Sequence, residues 1–139
     1  MDKFKQIRPI VLGLAIKDNK LLVGEGYDTV KKQTFYRCLG GGIEFWETSK
    51  DALKREFLEE INTDITIKNY LGLSENIFTF NGKKAHEIVL LYSIDIKNSD
   101  YKDIYHILDL EGHIAKWVDI DKFKNNEEIL YPKEALDFI

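Results

Sequence analysis

GGIEFWETSKDALKREFLEEINT, residues 41–63, is the most informative segment of the chain. Gly41 is followed by five residues and then Glu47; after seven more come Arg55, Glu56, Phe57, Leu58, Glu59 and Glu60. Thr48 and Ser49 are residue types that cap helix N-termini, because their side-chain oxygens accept from otherwise unpaired backbone N–H groups, and Asp51 falls in the first turn. Residues 52–60 are good helix formers with no Gly or Pro. At about 100° per residue, Glu56, Glu59 and Glu60 share one sector of that helix. Leu53, Phe57 and Ile61 form the adjoining apolar stripe, which is expected to face the core. Ala52 lies among the acids and leaves room for a close approach.

Carboxylates this close repel, at roughly 0.2–0.5 kcal/mol for a like-charged i,i+4 pair. A hard divalent cation turns that repulsion into coordination. Mg²⁺ prefers carboxylate and phosphate oxygens, keeps some of its waters, and can activate one of them. Gly40-Gly41-Gly42 marks a turn just ahead of the acids. Glycine turn, spaced acids and helix together describe a metal-binding loop and helix.

This pattern resembles the Nudix box, G-x5-E-x7-R-E-U-x-E-E-x-G-U, where U is a bulky apolar residue. The resemblance implies a Mg²⁺-dependent hydrolase, with Mn²⁺ as an alternative ion, acting on a nucleoside diphosphate linked to another moiety. It implies that Glu59 and Glu60 are the primary metal ligands, that Glu56 is a further ligand or the base, and that the Gly40 carbonyl adds a metal contact. Arg55 is expected to pair with Glu47 and fix the loop on the helix; a guanidinium suits that task because it binds a carboxylate at two points. A fourth acid, catalytic or metal-binding, is expected from a later loop. Glu111 is the candidate, with Glu87 as the competitor that reads instead as an outward-facing strand residue.

Three positions depart from the family pattern. Asn62 stands where the box closes on Gly; Asn is the next best residue for the left-handed conformation that ends the helix. Thr63 replaces the apolar residue that follows, and Ile65 is placed to supply its contact. Trp46 occupies a position where many members have Gly. It reads as a cover for local apolar surface, with lining the substrate pocket as the alternative.

The chain has 139 residues, enough for one domain spanning residues 1–139, with 44% hydrophobic and 32% charged residues. No run of eighteen apolar residues marks a transmembrane helix, and Met1-Asp2-Lys3-Phe4 is not followed by an export-signal core. The net charge is −4, and the basic residues form only pairs, so duplex nucleic acid is not an expected partner. A single cysteine, Cys38, excludes an internal disulfide and fits a cytoplasmic location. It reads as a small strand residue, since no base is tied to it by spacing. His86, His106 and His113 show no metal-ligand spacing.

Along the chain, residues 8–17 and 21–23 read as strands joined by a turn at Asp18-Asn19, residues 24–32 as a loop, and residues 34–39 as a strand entering the glycine turn. Residues 43–45 read as a short strand. After the helix, residues 64–68 and 71–80 look extended, and Asn81-Gly82 signals a hairpin to residues 87–96. Residues 98–105 read as a loop, 114–120 as the last strand, 121–126 as a short helical turn, and 132–138 as a terminal helix opened by Pro132. This order is α+β, and it matches a Nudix-type α/β/α sandwich around a mixed β-sheet.

Substrate choice is less legible. The resemblance leads toward a nucleotide, most simply a nucleoside triphosphate, and it leaves open a non-catalytic nucleotide-binding or sensor domain. It also leaves open a homodimer, which no motif of this chain fixes. Markers that the family associates with ADP-ribose and dinucleoside polyphosphates are absent from residues 77–80. Arg37, Phe78 and Phe80 are the substrate-binding candidates, with Arg8 and Tyr36 as further residues expected to line a nucleotide pocket: Arg holds phosphate and rings stack on a base. Taken singly, each ring reads as a strand residue packed on the core.

Overall fold

The structure is a computed structural model that describes residues 5–108 and 110–139. The opening Met1-Asp2-Lys3-Phe4 segment and Asp109 lie outside the described residues. Two left-handed turns each join a pair of consecutive strands. Asp18 and Asn19 (φ 52° and 60°) link β1 (Ile7–Lys17) to β2 (Lys20–Asp28). Asn81 and Gly82 (φ 51° and 81°) link β4 (Ile65–Phe80) to β5 (Lys83–Ile96). Paired positive φ values match the twist of a two-residue hairpin, which explains Asn and Gly at these points. With β3 (Gln33–Gly42), β6 (Ile104–His106) and β7 (Ile114–Asp119), the sheet runs β4-β5-β1-β3-β2-β7-β6, and β8 (Leu130–Tyr131) pairs with β3. It is mixed: β1–β5 and β3–β8 are parallel, the other pairs antiparallel.

Strand β1 alternates between two buried layers. Val11 and Ala15 face helix α1 (Ser49–Ile61) and pack with its Ala52, Leu53, Phe57 and Ile61. Ile10, Leu12 and Leu14 face the other layer, with Val89, Leu91, Phe123 of α2 (Ile120–Lys124), and Ala135 of the 3₁₀ turn Lys133–Phe138. A sheet covered on both faces reads as apolar runs, as the Ile10–Ala15 segment does. Leu53 and Phe57 are almost wholly buried, each worth about 1.5–3 kcal/mol of apolar transfer.

The α1 boundaries follow the sequence. Thr48 caps it, its hydroxyl accepting from the Asp51 N–H at 3.2 Å. Asn62 ends it at φ 51°, ψ 42°, with its N–H directed to the carbonyls of Leu58 and Phe57. Thr63 is buried, its hydroxyl donating to the Ile61 carbonyl at 3.1 Å, and Ile65 joins the helix-side core.

Several elements differ from expectation. Residues 43–45 are not a strand but part of the loop between β3 and α1. β2 continues through residues 24–28, which read as a loop because of their glycines. Gly26 is a packing requirement there: a Cβ would meet the Phe35 ring at 2.5 Å. Residues 64–68 and 71–80 form one long strand, β4, with register shifts between Ile67 and Asn69 and between Tyr70 and Gly72. The terminal helix is a 3₁₀ turn preceded by Pro132. Residues 98–105 contain a 3₁₀ turn (Asn98–Asp100) and the start of β6.

Asn62→Ala is expected to lower stability by about 1–2 kcal/mol in urea denaturation, the cost of an ordinary residue in a left-handed conformation, whereas Asn62→Gly keeps or raises it.

Candidate active site

Strand β3 ends in three glycines whose missing side chains matter. At Gly40 (φ 148°) a Cβ would fall 2.0 Å from the Val11 carbonyl oxygen. At Gly41 it would fall 2.4 Å from the Glu56 carboxyl carbon. The glycine strand and the acidic helix therefore touch through a space that no side chain could share. Ala52 belongs to this contact: it is fully buried in the core, so the close approach it permits is that of the sheet itself.

Arg55 organises the rest. Its Nε donates to Glu47 Oε2 at 2.8 Å and its Nη2 to Glu47 Oε1 at 2.9 Å, the expected two-point pair. Nη2 also donates to the Gly42 carbonyl at 2.9 Å, and Nη1 to Glu56 at 3.0 Å and Glu59 at 3.2 Å. The Arg55 hydrogen bonds hold the Glu47 carboxyl down at about 2, and Glu47 in turn raises Arg55 further. Burial pushes the Glu56 carboxyl up, opposed by Arg55, while a hydrogen bond links it to Glu60.

The donor chemistry fits a hard divalent cation: three carboxylates on one helix face, against a glycine strand that offers backbone oxygens and no steric block. Among the described residues, however, no three His, Cys, Asp or Glu side chains converge on a single point. Arg55 Nη1 lies between two of the acids, 3.0 Å from Glu56 Oε1 and 3.2 Å from Glu59 Oε2.

Glu111 sits on the loop of residues 107–113. Two backbone bonds shape and dock that loop: Ile107 N–H to the His113 carbonyl at 3.0 Å, and Leu108 N–H to the Glu60 carbonyl at 2.8 Å. The loop is thus tied to the end of α1 that carries the acids, and Glu111 itself is exposed.

Glu87 does not face outward. It is 4% exposed and accepts from Arg37 Nη2 at 2.7 Å, with Arg8 Nη1 at 3.7 Å from its other oxygen. Arg8 and Glu87 are register partners on the parallel strands β1 and β5, a pairing between distant segments that no local pattern announces. Arg8, Arg37 and Glu87 line a cavity of about 240 Å³ together with Phe35, Phe78, Phe80 and Tyr131. Phe78 and Phe80 are therefore half-buried cavity walls rather than core residues. Tyr36 lies elsewhere, in the core against Phe123. Trp46 covers nothing: it is 93% exposed beside an equally exposed Phe45, at φ 71°. That left-handed backbone is one that glycine adopts at least cost. Cys38 is buried, and burial pushes its thiol up to about 12.

The NUDIX domain profile matches residues 7–136. Solved structures share the fold. A NUDIX hydrolase from Nitrosomonas europaea is 18% identical, with a TM-score of 0.66, covering 95% of this chain and 85% of its own. A NUDIX-family hydrolase from Clostridium perfringens is 20% identical, with a TM-score of 0.60, covering 96% and 99%. A UDP-X diphosphatase is 14% identical, with a TM-score of 0.57, covering 92% and 56%. No curated protein sequence matches the chain. The profile spans nearly all of the described residues, and the chain belongs to the Nudix hydrolase family.

Glu87→Gln is expected to destabilise the fold by about 1–3 kcal/mol in thermal or denaturant melts, because it leaves Arg37 facing a neutral partner at a buried site. A thiol reagent at pH 8 should leave Cys38 unmodified in the native protein and label it fully in denaturant; rapid native labelling would contradict its burial.

Proposed function

We propose that this protein is a Mg²⁺-dependent hydrolase, with Mn²⁺ as an alternative ion, that cleaves a phosphoanhydride bond in a nucleoside diphosphate derivative, most simply a nucleoside triphosphate. The observation that carries this reading is Arg55 binding Glu47 and the Gly42 carbonyl together, which locks the glycine turn over the acidic face of α1.

Glu59 and Glu60 would be the main carboxylate ligands, with Glu56 and the Gly40 carbonyl completing the set. The ion would supply positive charge for the phosphate oxygens and a lowered water pKa. Either Glu56, where it is not itself a ligand, or Glu111 would take the proton of the attacking water at its carboxylate. Arg55 holds the loop and helix in one geometry while the phosphates enter. Arg37 would hold phosphate, and Phe78 and Phe80 would stack on the base. The reaction would take place in the cytoplasm on a small soluble substrate, with the single cysteine, Cys38, kept as a buried free thiol.

The test is phosphate or pyrophosphate release from nucleoside triphosphates, nucleotide sugars, ADP-ribose, NADH and dinucleoside polyphosphates. EDTA should abolish turnover, and Mg²⁺ or Mn²⁺ should restore it. Glu60→Gln should cut turnover by about 100-fold or more with an unchanged circular dichroism spectrum. Near-normal activity in that variant would overturn the metal assignment, and silence across the whole panel with nucleotide still bound would make this a binding domain.

A further inference from the structure

Helix α1 covers only part of the sheet face it packs on. Its first residue, Ser49, sits over β5, where its hydroxyl meets the Tyr92 hydroxyl at 2.7 Å. From there toward the β4–β5 hairpin the register sets Leu90 beside Leu73, Ile88 beside Glu75 and His86 beside Ile77. Val11, Pro9 and Ile7 of β1 continue the same three rows. Directly opposed residues share one side of a sheet, so these rows belong to the face that packs Val11 against the helix. Yet Ile77 is 75% exposed, and Ile7 and Leu73 are more than half exposed. An apolar sheet face is buried under a second layer, and these rows lie past the end of the helix that would provide it.

The loop of residues 43–48 borders the bare rows. It is anchored at one end by the Ile43 N–H on the Pro9 carbonyl at 3.0 Å, and at the other by Ser49 on Tyr92. A turn closed by the Glu47 N–H on the Glu44 carbonyl, at 3.2 Å, holds Phe45 and Trp46 out in water. Two such rings expose about 400 Å². With Ile7, Tyr70, Leu73 and Ile77 the apolar area reaches roughly 700 Å², beyond the patch of about 300–600 Å² on a typical monomer and near the 800 Å² or so that each partner buries in a stable pair.

The charges on and beside this face are mixed. Glu75 stands among the bare rows, Glu44 on the loop, Lys84 and His86 toward the hairpin, and Lys5 ahead of Ile7. Glu44 is shared with Arg55 at 3.8 Å. An anionic lipid surface draws on a basic face, which this is not. The same face of a second copy fits better, because a two-fold contact must be complementary to itself. Glu75 lies two positions before Ile77, and Lys84 is the register partner of Thr79, two positions after it. A two-fold axis running across the strands near Ile77 therefore sets Glu75 of each copy opposite Lys84 of the other. It also puts the two aromatic tips at opposite ends of the contact.

We propose that the bare face of β4, β5 and β1, flanked by Phe45 and Trp46, is the contact between two copies of this chain. The contact needs neither metal nor substrate, and it sets the loop that carries Glu47 at the rim of the second copy.

Sedimentation at micromolar to submillimolar chain concentrations tests it and should give the mass of two chains. Ile77→Glu should raise the dissociation constant at least about 100-fold, as loss of a central apolar contact does. Trp46→Gly should raise it about 10-fold while suiting the left-handed backbone at that position. Glu75→Lys and Lys84→Glu should each weaken the pair about 10-fold, and the two changes together should recover most of the loss, which misfolding would not do. The circular dichroism spectrum should be unchanged in all four variants. A wild type that stays single at the highest concentration overturns the proposal, as does a dimer that Ile77→Glu leaves intact. A wild type that stays single and binds anionic vesicles overturns it in favour of a lipid surface.

Discussion

Everything at the acidic face depends on where one guanidinium points. Arg55 is rooted in α1 but spends its donors on the loop and strand ahead of it: Glu47 at two points and the carbonyl of Gly42. Without those bonds the loop of residues 43–48 has few anchors, since Phe45 and Trp46 at its tip pack against little but each other. The same side chain also restrains Glu56 and Glu59. A positive group among several acids lowers their mutual repulsion and keeps them poised on one side of the helix. Lysine could not do this, because an ammonium has no planar fork to span two oxygens and a carbonyl.

The sheet supplies the rigidity behind that clamp. β1 is apolar on both faces and is paired with β5 and β3, so the glycine strand is held from below by a strand that cannot shift without disturbing both cores. Gly41 then works as a spacer of zero width. It lets a carboxylate rest directly on backbone, which brings the acids to the strand's carbonyls rather than to a layer of side chains.

What could be read in advance was what is local in the chain. Helix α1, its Thr48 cap, its Asn62 stop, the Arg55–Glu47 pair and both hairpin turns follow from spacings of a few residues, where periodicity and turn chemistry speak directly. The inward position of Glu87 could not be read this way. Its partners Arg8 and Arg37 lie far off in sequence and meet it only through a parallel pairing and a fold of the sheet. The continuation of β2 through Gly24 and Gly26 was hidden for a related reason: a strand glycine is unfavourable alone and sensible only once the Phe35 ring lies across it. The cavity, built from five separate segments, was legible as residues but not as a place.

Trp46 carries a consequence of another kind. The chain has two tryptophans. Trp117 is half-buried, with its indole N–H donating to the Lys102 carbonyl at 2.8 Å and its ring against Tyr101. In a single copy Trp46 stands in water on the loop that Arg55 fastens. The two indoles therefore emit from unlike surroundings, a red component from the loop and a bluer one from β7. The protein carries a native optical reporter within a residue of Glu47, and quenching by a small polar solute would pick out that loop from the rest of the molecule without any label.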